Sequence, residues 1–208
     1  MAEGLLLQSR TERDGPGERW VTIDGRHVLI REPQGKKSEQ ESLTRITVLG
    51  SKVIAIYDLR PSPDDKSKSE TAIRAAAKLL NENADRLATD EKRAIGEISS
   101  VFVTGSAKAY LGATGRGAVT LSKDYIEDPQ VSPAWIASLL GHEGQHYLNK
   151  GKYSAENRWR DEQSASKTQL TIGGKVGFSV NERDTLTEWM DDRNRAAMQE
   201  HMERGYTY

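Results

Sequence analysis

Alternating hydrophobic and polar residues in the first third of the chain predict two β-hairpins. The first, Trp20 to Ile30, turns at Asp24-Gly25, and the second has β-branched runs on either side of Gly50-Ser51. A further strand is predicted at Val101 to Val103. Two more strand-like pieces lie around the glycines of residues 107–123, and Gly117 to Ser122 is expected to be an exposed sheet edge. An ordinary hairpin is the alternative for this stretch.

The rest of the chain has the three-to-four-residue spacing of hydrophobic positions that is typical of amphipathic helices. Ser132-Pro133 is a strong start signal, since serine caps a helix and proline suits its first turn. Gly173-Gly174 is expected to end a helix, and Asn181 to cap the last one. The first predicted helix starts at Ser69 or Thr71. Four further helices are predicted over residues 90–98, 132–149, 155–172 and 181–205.

Strands followed by helices predict an α+β fold, with a small antiparallel or mixed sheet packed on helices. A chain of 208 residues can bury a core, yet 36% hydrophobic residues, 29% charged residues and a mean hydropathy of -0.71 are polar for a globule. We therefore expect a polar N-terminal arm with a short hairpin at residues 1–42 and one main domain at 43–208.

Charge and composition exclude several classes of function. The chain has 30 basic and 31 acidic residues, so no basic surface for nucleic acid is expected. It has no cysteine, which leaves histidine and carboxylate as the plausible metal ligands. The apolar run at Leu5 to Leu7 is too short for a signal peptide, and no membrane-spanning segment follows. We expect a cytoplasmic protein without a membrane partner.

The sequence His142-Glu143-Gly144-Gln145-His146 carries the clearest chemical signal. Side chains four residues apart share a helix face, so both imidazoles can reach one metal ion while Glu143 stands beside it. Ordinary surface histidines are the alternative, but the run from Trp135 to Leu140 predicts a largely buried helix, where these groups would need partners.

A hydrolytic zinc site takes three protein ligands, so a third is expected downstream. The next predicted helix offers Glu156, Asp161 and Glu162. Glu162 shares a stripe with Ala165 and Gln169, whose neighbours are small enough for close helix packing, and it is our preferred ligand. Asp161 stays open as the alternative, or as a residue that orients a ligand imidazole.

Residues 139–148, Leu-Leu-Gly-His-Glu-Gly-Gln-His-Tyr-Leu, resemble the zincin signature. With a glutamate on the following helix, the chain resembles a compact gluzincin, a family of zinc metallopeptidases, over about residues 100–172. The metzincin extension would need glycine at 149 and histidine at 152, where this chain has Asn149 and Lys152. Thermolysin-type gluzincins place an aspartate where this chain has Ser166.

The resemblance implies peptide-bond hydrolysis with Zn²⁺ held by His142, His146 and Glu162 and with Glu143 as the general base. Tyr110, Tyr147 and Tyr153 are candidates for stabilising the oxyanion. The expected partner is a protein or peptide substrate, which includes the chain's own N-terminal arm at the polar linker 31–42.

A second hypothesis is a non-catalytic zincin-like module for regulation or binding, in which the metal is structural or absent. Residues 20–30, WVTIDGRHVLI, resemble short stretches in phage-derived and mobile-element proteins, which would place such a module in that setting.

Overall fold

The structure is a computed structural model that describes residues 18–23, 26–31, 43–58, 63–104, 112–113, 117–122 and 126–205. The chain forms two compact units, Met1–Ser38 and Glu39–Tyr208. In the first unit, strand β1 (Glu18–Ile23) pairs antiparallel with β2 (Arg26–Arg31), which confirms the first predicted hairpin. The predicted boundary after residue 42 falls next to residues 32–42, which lie outside the described residues, and it stays a prediction.

The second unit contains a five-stranded mixed sheet with the order β3-β4-β5-β7-β6. Its strands are β3 (Leu43–Val48), β4 (Lys52–Asp58), β5 (Ser100–Thr104), β6 (Gly112–Ala113) and β7 (Ala118–Ser122). The β3–β4 and β6–β7 pairs are antiparallel, whereas β4–β5 and β5–β7 are parallel. The second predicted hairpin and the mixed α+β class are therefore confirmed.

Strand β7 is not the sheet edge that the glycine pattern predicted. It lies between β5 and β6, and the short strand β6 is the outer one on that side. The side chains of Ala118, Val119, Leu121 and Ser122 are buried, so both faces of the strand are covered, as is typical of an interior strand. The alternation of small and polar residues in the sequence did not distinguish this interior strand from an edge.

Six α-helices accompany the sheet in the described part of the chain. They are α1 (Pro63–Glu82), α2 (Thr89–Glu97), α3 (Pro133–Asn149), α4 (Arg158–Val176), α5 (Val180–Trp189) and α6 (Arg195–Gly205). Helix α3 begins as predicted, because Ser132 accepts a hydrogen bond of 3.0 Å from the backbone N–H of Trp135. It contacts α1, α2 and α4 and is the central helix of this unit.

Two predicted helix bounds are wrong. Helix α1 begins at Pro63 rather than at Ser69 or Thr71, since proline fits the first helical turn and need not act as a breaker. Helix α4 runs through Gly173-Gly174 and ends at Val176, because the next residue, Gly177, has a φ of 107°, the left-handed conformation that favours glycine. The absence of a side chain at Gly173 leaves room for the Phe178 ring.

The helix predicted from Asn181 to Gly205 is two helices. Ser179 caps α5 in a reciprocal box with Glu182, and α5 ends at Trp189. Asp191 accepts hydrogen bonds from the backbone and the guanidinium of Arg193, which starts a short 3-10 turn before α6. These local side-chain bonds compete with the continuation of the helix.

The core of the second unit lies between the sheet and the helices α1, α2 and α3. Its large buried side chains include Ile54, Ile56, Ile73, Leu80, Ile95, Leu121, Ile136 and Leu140. No described helix combines the length and the apolar character needed to cross a bilayer.

The packing of α3 on α2 predicts a strong effect of a single methyl group. A Cβ at Gly144 would lie 1.8 Å from the backbone carbonyl oxygen of Ala94, whereas one at Gly174 would meet nothing within 4 Å. Because a backbone carbonyl moves only with its helix, Gly144→Ala should lower the free energy of unfolding by about 1–3 kcal/mol. Gly174→Ala, the matched control, should raise it by about 0.5–1 kcal/mol through helix propensity. Urea unfolding measures both, and an unchanged Gly144→Ala protein would contradict this packing.

A buried ion pair between α2 and α4 predicts an acid-sensitive part of the stability. Lys175 Nζ lies 2.7 and 2.6 Å from the two carboxylate oxygens of Glu91, whose side chain is 9% exposed. Burial raises the pKa of Glu91, but the Lys175 ammonium and the Ala88 N–H outweigh it and hold that pKa below its ordinary value. The pair therefore stabilises the fold above the unfolded-state pKa, and this contribution is lost as the pH falls through the lower folded-state pKa.

Lys175→Met should lower the free energy of unfolding at neutral pH by about 1–3 kcal/mol, between the values for exposed and buried pairs. The difference should shrink as the pH falls through the lowered pKa of Glu91, because the carboxylate is then protonated. Lys78→Met is the control, since its ion pair with Glu82 is exposed. Urea unfolding at neutral and at acidic pH measures this difference. An equal loss of unfolding free energy at both would exclude the ion pair as the cause.

Candidate metal centre

Helix α3 carries two imidazoles whose Nε2 atoms face each other. His142 and His146 are one turn apart, their Nε2 atoms are 3.1 Å apart, and the residues are only 6% and 1% exposed. The Ser132 cap and the buried side chains of Ile136, Leu139 and Leu140 fix this helix in the core. Two nitrogens at this distance share either a proton or a cation.

Helix α4 brings a carboxylate to the same point. Glu162 Oε2 lies 3.4 Å from His146 Nε2 and 3.7 Å from His142 Nε2, and the residue is 3% exposed. The three side chains are the one group of His, Asp and Glu in the described part of the chain whose geometry suits a metal ion. Glu156, the third sequence candidate, lies exposed in the 3-10 turn Ala155–Asn157.

Asp161 lies on the opposite side of the second imidazole. Its Oδ2 is 3.2 Å from His146 Nδ1, and its Oδ1 accepts a 2.8 Å hydrogen bond from the Asn149 amide. Asn149 in turn accepts bonds from Gln145 and Lys152 through its own oxygen. A carboxylate at Nδ1 keeps a proton on that nitrogen and leaves Nε2 as the electron-pair donor. Asp161 thus occupies the orienting position that was one of its two predicted roles.

The second oxygen of Glu162 is held by two further side chains. Trp189 donates its indole N–H to Glu162 Oε1 over 3.0 Å, and Ser166 Oγ lies 3.4 Å from the same oxygen. The hydrophobic pattern around Trp189 indicates only packing and does not reveal this contact. The contact joins residues 27 positions apart, and the only signal in the sequence is that a partly buried indole N–H needs an acceptor.

The distances within the cluster match those of a zinc coordination shell. For metal–ligand bonds of about 2.05 Å in a tetrahedron, neighbouring ligand atoms are about 3.3 Å apart. The three observed separations, 3.1, 3.4 and 3.7 Å, bracket this value. Glu162 Oε2 and His142 Nδ1 are buried atoms without a hydrogen-bond partner among the described residues. A cation between the Nε2 and Oε2 atoms would satisfy the carboxylate oxygen.

The electrostatics of the cluster favour a positive charge. Burial lowers the pKa of His146, but the neighbouring carboxylates of Asp161 and Glu162 outweigh this effect and raise the pKa to about 10. Burial also raises the pKa of Glu162, but the two neighbouring imidazoles hold it well below its ordinary range. At neutral pH His146 is therefore protonated until a metal ion takes the place of the proton, so metal binding must release a proton.

Glu143 is buried beside the cluster, with 1% of the residue exposed. Its charge adds to the rise in the pKa of His146, as expected for a carboxylate close to the imidazoles.

The sequence offered three tyrosines as candidates for oxyanion stabilisation. Tyr147 donates its hydroxyl to the carbonyl of Ala118 over 3.2 Å, Tyr153 is half-buried, and Tyr110 lies outside the described residues.

Comparison of the chain with protein-family models, with curated proteins and with solved structures finds no match.

The two neighbouring carboxylates of α4 should differ in their effect on zinc binding. Asp161→Asn should weaken zinc affinity about 10–100-fold, since it removes the charge that orients His146 without removing a ligand. Glu162→Gln should weaken it further, because the amide oxygen is a poorer ligand for zinc. Competition titration with a chromophoric chelator measures both, and the exposed Glu156→Gln variant is the control. A larger loss for Asp161→Asn than for Glu162→Gln would reverse the two roles.

Proposed function

We propose that this protein is a zinc-dependent metallopeptidase of the gluzincin type. His142, His146 and Glu162 hold the ion, and Glu143 is the general base. The observation that carries the proposal is the convergence of two Nε2 atoms from helix α3, which also carries Glu143, and one carboxylate oxygen from helix α4 within 3.1–3.7 Å of one another. The order of the motif along the chain and the ligand from the next helix agree with the resemblance to gluzincins.

The metal, when bound, supplies Lewis acidity that lowers the pKa of water toward about 7 and polarises the substrate carbonyl. Glu143 accepts the proton of the attacking water and delivers it to the leaving amine. Asp161 keeps the proton of the neutral His146 ring on Nδ1, so that Nε2 has a free electron pair for the metal ion. Glu162 completes the ligand set with Oε2.

The substrate on this proposal is an extended segment of a protein or peptide. Strand β6 is the outer strand beside β7, and it contacts helix α3, which carries the motif. An outer strand can accept an extended peptide through main-chain hydrogen bonds, so β6 takes over the role first expected of residues 117–122. The polar residues 31–42 are a candidate substrate sequence within the chain itself.

The depth of the cluster favours one other function. Glu143, His146 and Glu162 are at most 3% exposed, and His142 is 6% exposed. Structural zinc sites are closed, whereas catalytic sites keep a position open to water. A zincin-like binding or regulatory module, with the metal in a structural role, is therefore the second candidate.

Substitution of the general base separates the two candidates. Glu143→Gln should lower kcat for peptide cleavage by about 10²–10⁴-fold, because the side chain loses its ability to accept a proton. It should leave the zinc content unchanged, whereas His146→Ala should lose zinc. Elemental analysis and a peptide-library assay measure the two properties, with Glu156→Gln as the control.

If the zinc-loaded protein cleaves neither a peptide library nor itself in a Glu143-dependent way, the peptidase proposal is wrong. Stoichiometric zinc together with a loss of stability on its removal would then identify the binding module.

A further inference from the structure

The two carboxylate oxygens of Glu162 have different surroundings. Oε2 is directed at the imidazoles, at 3.4 and 3.7 Å from their Nε2 atoms. Oε1 accepts the indole N–H of Trp189 at 3.0 Å, and Ser166 Oγ lies 3.4 Å from it. An indole N–H can only donate a hydrogen bond, so Glu162 Oε1 must use a lone pair to accept it.

Helix α5 is fixed at both of its ends to the helices that carry the cluster. At its C-terminal end, Trp189 binds Glu162, and the Gln163 amide donates to the carbonyl of Met190 over 3.2 Å. At its N-terminal end, Glu182 accepts a hydrogen bond from Ser132, the cap of α3. Besides the indole bond, two hydrogen bonds therefore hold helix α5 against α3 and α4 and keep Trp189 close to Glu162.

We propose that Trp189 is a positioning residue that restricts Glu162 to binding the metal ion through Oε2 alone. This inference rests on the proposed zinc binding of the cluster. A carboxylate that binds through both oxygens must turn both toward the ion, and Oε1 would then lose the indole N–H. One-oxygen binding by Glu162 would give three protein ligand atoms in total, the number at which catalytic zinc sites still accept water or substrate.

Trp189→Phe removes the N–H and keeps an aromatic ring, so it tests the hydrogen bond. Zinc affinity should fall about 10–100-fold, as is usual when a partner of a ligand is lost. In the Co²⁺-loaded protein, the strong visible absorption of four-coordinate cobalt should weaken, because the freed Oε1 becomes a fifth ligand. Trp159→Phe is the matched control, since Trp159 is on α4 and stacks with Arg195 at 4.1 Å from its ring centroid. It should leave both properties unchanged.

The unmodified protein provides a second measurement, should Trp189→Phe fail to fold. The chain has four tryptophans, and the nuclear magnetic resonance spectrum of their indole N–H groups can be recorded before and after zinc loading. One of the four signals should shift strongly on zinc loading. The same shifted signal should be present in the spectrum of zinc-loaded Trp159→Phe.

The outcomes distinguish this proposal from the one on which it rests. Absence of zinc and cobalt binding by the unmodified protein would overturn both. Metal binding with an unchanged affinity and cobalt spectrum in Trp189→Phe would overturn the positioning role alone. If Trp189→Phe does not fold, four unshifted indole signals in the zinc-loaded unmodified protein would also overturn the positioning role.

Discussion

The close packing of α3 between α2 and α4 is the constraint on which the candidate site depends. A Cβ at Gly144 would overlap the Ala94 carbonyl of α2, and a Cβ at Gly141 would lie 2.1 Å from Ile172 Cδ1 of α4. Glycine on two sides of one helix therefore lets both neighbours approach its backbone. Because α4 comes this close, a glutamate side chain from it reaches both imidazoles of α3.

This packing has an electrostatic cost that the cluster itself must offset. Glu143, Asp161 and Glu162 are all buried near the two imidazoles, and uncompensated buried charge is strongly unfavourable. In the absence of metal, a proton on His146 supplies part of the compensation. A divalent cation would supply more and would link metal binding to the stability of the whole unit. The same carboxylates would then serve as ligand, as orienting group and as base.

Local patterns in the sequence predicted the motif helix, its Ser132 cap, the two hairpins and the α+β class. They did so because capping, turn chemistry and periodicity act over a few residues. The stripe of Glu162 and Ala165 also pointed to the face of α4 that meets α3, since small residues permit close helix packing.

The features that the sequence did not predict correctly depend on contacts between residues far apart in the chain. Gly173 stays inside α4 because the Phe178 ring occupies the space beside it, and the role of Trp189 requires α5 to fold back on α4. Strand β7 became an interior strand through its pairing with β6, a two-residue strand too short to show a pattern. Register and chain reversal of this kind are set by tertiary packing, which one sequence does not show.

Zinc K-edge X-ray absorption of the protein, dialysed against micromolar zinc, measures the ligands of the bound ion. The protein should retain one zinc ion per chain, with two imidazole nitrogens and oxygen ligands at about 2.0–2.2 Å. Failure to retain zinc, or a spectrum without the multiple scattering of two imidazoles, would contradict the proposed ligand set.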